Sequence, residues 1–232
     1  MDADGTGKQG LTSGPAYDSE PAFAPGGRRV AFRRYDPGEG RVDIYIKALG
    51  GGLRRVTKDA AYERWPVFSP GADRIAFVRS AAIPGCAGCT KRSDLATVRP
   101  DGMDLGVITH TPGKAEGSPD WTPDGRRLVF DLYDNATDGT RIDTVGADGT
   151  GRRTVFAPGR IGAGDPVFSP DGTKIAFGYA DGIDIWTMNP DGTGLTDVTD
   201  TPPGNAGRGD PTGRRSRPPR VDRPYRHPAR AT

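Results

Sequence analysis

The stretch that decides the fold reads Asp165-Pro166-Val167-Phe168-Ser169-Pro170-Asp171-Gly172-Thr173-Lys174-Ile175-Ala176-Phe177. Its middle, Ser169-Pro170-Asp171-Gly172, predicts a tight turn, because Pro presets φ at the second position and Gly relieves the last one. Apolar residues on both sides of this turn predict a β-hairpin. The second arm is apolar at all positions of 175–177, which is typical of a strand buried on both faces.

The same block occurs three more times along the chain. The leading prolines are Pro21, Pro66, Pro119 and Pro166, and the closing phenylalanines are Phe32, Phe77, Phe130 and Phe177. Both sets are separated by 45, 53 and 47 residues, so the four copies agree in register. A period of this length predicts a repeat architecture.

Two further strands are predicted after each hairpin. The third strands contain Ile44-Tyr45-Ile46, Leu95-Ala96-Thr97-Val98, Ile142-Asp143-Thr144-Val145 and Ile185-Trp186-Thr187-Met188. An Asp-Gly turn follows in three copies, whereas Gly50-Gly51-Gly52 takes its place in the first, and a short last strand ends each unit. Four antiparallel strands in about 45 residues describe one blade of a β-propeller, so the predicted fold class is all-β.

These blocks resemble the TolB-like β-propeller repeat, also described as the WD40-like Pro-Asp repeat. The residues that carry the resemblance are the Phe-Ser-Pro-Asp-Gly and Ile-Ala-Phe core of 168–177, the Ile-Trp-Thr-Met-Asn-Pro-Asp-Gly-Thr-Gly segment of 185–194, and Leu-Thr-Asp-Val-Thr at 195–199. The resemblance covers roughly residues 1–200 and implies a periplasmic or secreted protein with a protein or peptide partner. Related blades occur in the propellers of prolyl-oligopeptidase-like proteins, so the resemblance specifies fold more than function.

The repeat divides the chain into six parts. These are the turn and outer strand of an incomplete blade (1–12), blade 1 (13–57), blade 2 (58–109, with an insertion at 81–93), blade 3 (110–156), blade 4 (157–199), and a degenerate fifth repeat with a disordered Arg/Pro-rich tail (200–232). We expect an open or truncated propeller of four four-stranded blades with exposed edges. A closed four-bladed ring is the alternative.

Charge is distributed unevenly along the chain. Of 32 Lys and Arg and 30 Asp and Glu, residues 208–232 hold eight Arg and two Asp, so the net charge of +2 hides an acidic body and a basic tail. An acidic body argues against nucleic-acid binding, and no apolar run is long enough for membrane insertion. The tail is interpreted either as an out-of-frame translation or as an Arg/Pro segment that binds nucleic acid, anionic lipid or a partner domain.

Few residues suggest catalysis, a cofactor or a metal. No Gly-x-Ser-x-Gly elbow or phosphate-binding loop occurs, and His110 is best interpreted as an exposed loop residue. The Asp-Gly motifs favour β-turns over calcium loops, which need six to eight oxygen ligands. Cys86 and Cys89 are interpreted as a loop disulfide in an exported protein or as free thiols in a cytosolic one. We expect no cofactor and no metal.

The strongest candidate site lies where each innermost strand begins. The residues directly before the leading prolines are Glu20, Trp65, Ser118 and Asp165, and Glu63, Arg64 and Glu116 lie beside them. By analogy with related propellers, this position is close to the channel mouth. Variable polar and aromatic residues on a regular scaffold indicate a ligand-binding face, and ordinary solvation of loops is the competing interpretation.

These observations predict a non-catalytic binding or scaffold module that recognises a protein, a peptide or a cell-envelope component. One alternative is the substrate-gating propeller of a prolyl-oligopeptidase-like serine peptidase whose hydrolase domain is absent. Another is an enzyme that acts on carbohydrate within a propeller channel.

Overall fold

The structure, a computed structural model, describes residues 4–80, 92–134, 136–159, 162–179 and 184–199. In this described part of the chain sixteen strands are formed, four in each repeat. They are β1 (Tyr17–Phe23), β2 (Arg29–Asp36), β3 (Arg41–Ala48), β4 (Leu53–Arg55), β5 (Tyr62–Phe68), β6 (Ile75–Ser80), β7 (Ser93–Val98), β8 (Gly106–Val107), β9 (Lys114–Trp121), β10 (Arg127–Asp134), β11 (Gly139–Gly146), β12 (Arg153–Phe156), β13 (Ala163–Phe168), β14 (Ile175–Tyr179), β15 (Asp184–Met188) and β16 (Thr196–Asp197). Within these ranges, no helix has the length and apolar character needed to cross a bilayer.

Each blade is an antiparallel sheet whose four strands follow chain order. Blades 1, 2 and 3 are also linked by single parallel pairs, Val42 with Tyr62 and Ser93 with Ala115. Strands β13–β16 form a separate sheet, and among the described strands none of blade 4 pairs with blade 1. The predicted all-β fold of four four-stranded blades in an incomplete propeller is confirmed.

The amino-terminal segment differs from the sequence expectation in one respect. The turn predicted at Asp4-Gly5 is present, because Asp4 Oδ1 accepts a hydrogen bond from the Thr6 backbone N–H at 2.9 Å. Residues 4–16 form no strand, although an outer strand was expected there. The physical reason is that an outer strand needs a third strand of its own blade as partner, and the described residues offer none.

The second strand of each blade supplies the core, as its continuous apolar character predicts. Ala31, Ala76 and Val129 have no exposed surface, and the neighbouring Phe77 and Phe130 are also fully buried. The small residue in the middle of the strand lets adjacent sheets approach closely. Burial on both faces explains why this strand does not alternate apolar and polar residues.

The aromatic residues of the first strands show where a neighbouring blade is present. Phe68 is 5% exposed, and the Arg29 guanidinium of blade 1 lies 5.3 Å from its ring centre. The equivalent Phe23 is 64% exposed. The high exposure of Phe23 therefore agrees with the expectation of an exposed edge at blade 1.

The Asp-Gly turns between third and fourth strands form joints between blades. Gly149 has φ +83°, and a Cβ added there would lie 2.5 Å from the carbonyl oxygen of Ile108 in the preceding blade. Gly102 makes the same approach to the carbonyl of Val56, where an added Cβ would lie 2.7 Å from the oxygen. Glycine is required here both for the left-handed backbone and for the close contact.

The turn between the first and second strands also engages its Asp side chain locally, as the turn interpretation predicts. Asp171 Oδ1 accepts hydrogen bonds from the Ser169 hydroxyl at 2.6 Å and from the backbone N–H and hydroxyl of Thr173. These bonds lower the pKa of Asp171 to about 2. Among the described residues, no group of three or more His, Cys, Asp or Glu side chains is arranged to hold a metal ion.

Three expectations from the sequence lie outside the described residues. They are the pairing of Cys86 with Cys89, most of the 81–93 insertion, and the tail at 200–232.

Candidate functional site

Each of the four innermost strands is interrupted by a bulge at the residue before its leading proline. The bulge residues have positive φ although none is glycine: Glu20 (57°), Trp65 (50°), Ser118 (41°) and Asp165 (52°). A left-handed conformation costs an ordinary L-residue about 1–2 kcal/mol, so a backbone that repeats it four times is specified by the surrounding sheet. The register of each first strand slips at the same place, which turns the bulge side chain out of the regular alternation.

The bulge residues of adjacent blades contact one another in pairs. The Trp65 backbone N–H donates a hydrogen bond to Glu20 Oε2 at 2.7 Å, which connects blades 1 and 2. The Ser118 hydroxyl donates to Asp165 Oδ1 at 2.5 Å, which connects blades 3 and 4. We call Glu20, Trp65, Ser118 and Asp165 the inner row. The structure therefore brings the four variable residues that the sequence singled out together in two pairs.

Arginine and aromatic side chains surround the inner row in blades 1 and 2. The Arg64 guanidinium lies 5.3 Å from the ring centre of Trp65 and 5.5 Å from that of Tyr62. Arg33 lies 5.6 Å from the same Tyr62 ring and 3.6 Å from Glu20 Oε1. Arg64 makes no ion pair with a described residue, so this end of the inner row carries a cation held over aromatic rings.

Blade 3 carries the opposite charge at the position equivalent to Arg33. Asp131 follows Phe130 in β10, as Arg33 follows Phe32 in β2. Its carboxylate packs against Gly117, where an added Cβ would lie 2.7 Å from Asp131 Oδ2. Burial, with a smaller contribution from the charge of Asp165, raises the pKa of Asp131 to about 6. Sequence reasoning missed Asp131, because its role depends on which side chain faces it from the next strand.

Glu116 is a structural residue of the joint between blades 2 and 3. It is 2% exposed, and its Oε2 accepts hydrogen bonds from the Leu95 N–H at 2.7 Å and from the Thr109 hydroxyl. Its Oε1 accepts a bond from the Thr111 hydroxyl at 3.1 Å. Burial raises the pKa of Glu116 despite these donors. The expectation that Glu116 faces a ligand is corrected, because its carboxylate is used to tie two blades together.

Glu63 occupies the same position between blades 1 and 2 and has no exposed surface. The Thr57 hydroxyl donates to Glu63 Oε2 and accepts a hydrogen bond from the Ile44 N–H at 2.9 Å. Glu63 Oε1 has no partner among the described residues. Burial, with smaller contributions from Asp59 and Asp43, raises the pKa of Glu63 to about 8. Glu63 is therefore also corrected from ligand-facing to structural.

A sequence signal for these joints was available. It is a threonine near the end of one repeat and an acid three residues before the next leading proline. The pairs are Thr12 with Asp18, Thr57 with Glu63, and Thr109 with Glu116, whereas Phe156 and Ala163 take these positions between blades 3 and 4. The ligand-facing candidates that keep exposed surface are thus the inner row and Arg64.

His110, the one histidine considered for catalysis, lies exposed on the loop between β8 and β9. Its Nδ1 is 2.8 Å from an Arg92 guanidinium nitrogen. This position agrees with the expectation of an exposed loop residue.

Comparison with known proteins places these features in a family context. No protein-family model matches the chain. The Tol-Pal system protein TolB of Nitratidesulfovibrio vulgaris is 38% identical over 107 residues, which are 44% of this chain and 22% of that protein. The TolB of Francisella tularensis subsp. mediasiatica is 29% identical over 103 residues, 43% of this chain and 23% of that protein. The solved TolB of Acinetobacter baumannii superposes with a TM-score of 0.63 at 17% identity, over 84% of this chain and 47% of that one.

The chain has the fold of a TolB-like β-propeller. A putative TolB from Agrobacterium tumefaciens gives a TM-score of 0.61 at 23% identity, over 77% of this chain and 63% of that one. An oligogalacturonate lyase from Vibrio parahaemolyticus gives 0.60 at 14% identity, over 79% of this chain and 52% of that one. At these identities the solved structures share the fold of the TolB-like propeller and nothing more is implied. The matched segments span less than a quarter of the curated relatives' length.

Proposed function

We propose that this TolB-like propeller is a non-catalytic binding module that holds a protein or peptide segment along its inner row. The observation that carries the proposal is the repeated left-handed bulge, which presents four chemically different side chains from one backbone position in four blades. Strained backbone persists only where the surrounding structure enforces it, and it is concentrated at functional sites. A rigid scaffold with variable side chains at one position suits recognition.

The composition of the inner row suits a peptide partner. Trp65 and Arg64 belong to the residue types that dominate binding energies at protein interfaces, and both are half-buried. Their stacking holds the guanidinium in place, which reduces the conformational entropy lost when a ligand binds. Arg64 beside Trp65 in blade 2 and Asp165 in blade 4 place opposite charges at different points along the row, so a peptide would bind in one direction.

The names of the curated relatives give the proposal a cellular context. They are Tol-Pal system proteins. We propose that this chain binds a protein of the cell envelope from a periplasmic or extracytoplasmic position. The gating and carbohydrate-active alternatives are supported by likeness of fold alone, because the lyase and peptidase structures are 14% and 17% identical. A shared fold does not imply a shared catalytic activity.

Truncation of Trp65 or of Arg64 tests the proposed function. Peptides selected against the wild-type chain from a displayed random library should bind at least tenfold more weakly to Trp65→Ala and to Arg64→Ala, because hot-spot truncation costs about 2 kcal/mol. Fluorescence anisotropy of the labelled peptides measures the dissociation constants. The matched control is Met103→Ala, which truncates an exposed apolar side chain in the turn between β7 and β8.

Two results would contradict the proposal. One is a selection that yields peptides whose binding is insensitive to both inner-row substitutions. The other is an equal loss in Met103→Ala, because that would place the peptide outside the inner row.

A further inference from the structure

A small pocket opens between blades 3 and 4 beside the inner row. It has a volume of about 240 Å³ and is lined by Asp131, Thr140, Gly162, Ala163, Gly164, Asp165 and Gly178. Sites for drug-sized ligands occupy about 300–1,000 Å³, so this one fits a single side chain or a similar small group. Three of the lining residues are glycines, which have no side chains to fill the pocket. Among the described residues that line it, only the two carboxylates are charged.

The two carboxylates of this pocket lack a cation. Neither Asp131 nor Asp165 makes an ion pair with a described residue. Asp131 Oδ1 is buried and has no hydrogen-bond partner among them, which leaves an acceptor unsatisfied. Burial penalises the charged Asp131 carboxylate more than the Ser118 hydroxyl and the backbone N–H groups of Asp131 and Asp165 stabilise it, so its desolvation is only partly offset. The surrounding backbone nevertheless keeps it in place, since Gly117 leaves room for the Asp131 carboxylate where any larger residue would displace it.

The chemistry that satisfies this arrangement is an organic cation. We propose that the pocket between blades 3 and 4 binds the guanidinium or ammonium group of an arginine or lysine side chain, with Asp131 and Asp165 as the two acceptors. A guanidinium offers several N–H donors in one plane and can bond both carboxylates at once. A divalent metal is less well suited, because calcium needs six to eight oxygen ligands and the pocket offers two carboxylates. This inference rests on the proposed peptide-binding function and assigns a charged side chain to one end of that peptide.

A pair of small probes tests the pocket without a peptide. We expect n-butylguanidinium to cause saturable shifts of the Gly164 and Gly178 amide signals in ¹H–¹⁵N spectra, with a dissociation constant of about 1 mM. The neutral n-butylurea, which has nearly the same shape, should cause none at the same concentration. Asp131→Asn and Asp165→Asn should each weaken n-butylguanidinium binding at least tenfold, because each removes a charge-assisted bond.

The control variant is Asp171→Asn, which neutralises an exposed turn carboxylate on blade 4 and should leave n-butylguanidinium binding unchanged. Circular dichroism of each variant verifies the fold. The proposal is overturned by equal binding of n-butylurea, by no binding to the wild-type chain, or by Ca²⁺ shifting the same amides when n-butylguanidinium does not.

The probe experiment can fail independently of the proposed function. If selected peptides bind in a Trp65-dependent manner but n-butylguanidinium does not bind, the binding module stands and the cation pocket is wrong. If n-butylguanidinium binds but no peptide depends on Trp65, the pocket stands and the proposed function is wrong.

Discussion

Replacement of Gly149 by alanine is expected to destabilise the propeller by about 4 kcal/mol. The left-handed backbone accounts for about 1–2 kcal/mol of this, since φ is +83° at this position. The remainder comes from steric conflict, because the new Cβ would lie 2.5 Å from the Ile108 carbonyl oxygen of the preceding blade. This oxygen belongs to the backbone, so blades 2 and 3 must separate to make room.

Gly50→Ala is the matched control for that substitution. Gly50 occupies the equivalent turn of blade 1 at φ +76°, and an added Cβ would meet no atom within 4 Å. Only the backbone cost should appear, about 1 kcal/mol. Urea unfolding of both variants and of the wild-type chain measures the two free energies. Similar losses in the two variants would show that the turn glycines serve conformation alone and do not form joints between blades.

Replacement of Glu63 by glutamine is expected to remove the largest share of a loss of stability that the wild-type chain undergoes as pH rises. Burial raises the pKa of Glu63 from 4.5 to about 8 in the folded state. A raised pKa means that the folded state holds the proton more tightly than the unfolded state. The contribution of this group is therefore fully present below pH 4.5 and is lost progressively up to about pH 8. The total loss is of the order of 5 kcal/mol.

The groups around Glu63 account for the direction of this effect. Asp59 and Asp43 raise its pKa further, whereas the Thr57 hydroxyl and Arg79 lower it and are outweighed by burial. The free energy of unfolding at several values between pH 5 and 8 measures the slope for each variant. Asp171→Asn should keep the wild-type slope, because its carboxyl has a pKa of about 2 and titrates outside this window. An unchanged slope in Glu63→Gln would refute the assignment to Glu63.

The blade repeat could be predicted almost entirely from sequence. Local signals specify it. They are proline and glycine at fixed turn positions, and three consecutive apolar residues in the second strand of each blade. The amino-terminal outer strand could not be judged in this way. Its residues repeat the pattern of a strand, yet strand formation depends on a hydrogen-bonding partner that is distant in sequence.

The candidate site was predicted in part. Sequence variation at the residue before each leading proline pointed to Glu20, Trp65, Ser118 and Asp165, which the structure brings together in pairs. Glu63 and Glu116 are two residues from that position and were grouped with it. Alternation along the innermost strand and its bulge instead direct both carboxylates into the joints between blades.

The sequence by itself determined the number of described blades, their strand order and the position of each turn, because all three depend on interactions between residues close in the chain. Only the tertiary structure decided the pKa and the solvent exposure of individual carboxylates. Burial between blades 1 and 2 raises the pKa of Glu63, and Asp131 faces Asp165 because adjacent blades meet at their bulges. Desolvation and charge interactions act through space, so they cannot be assigned from residue spacing along one strand.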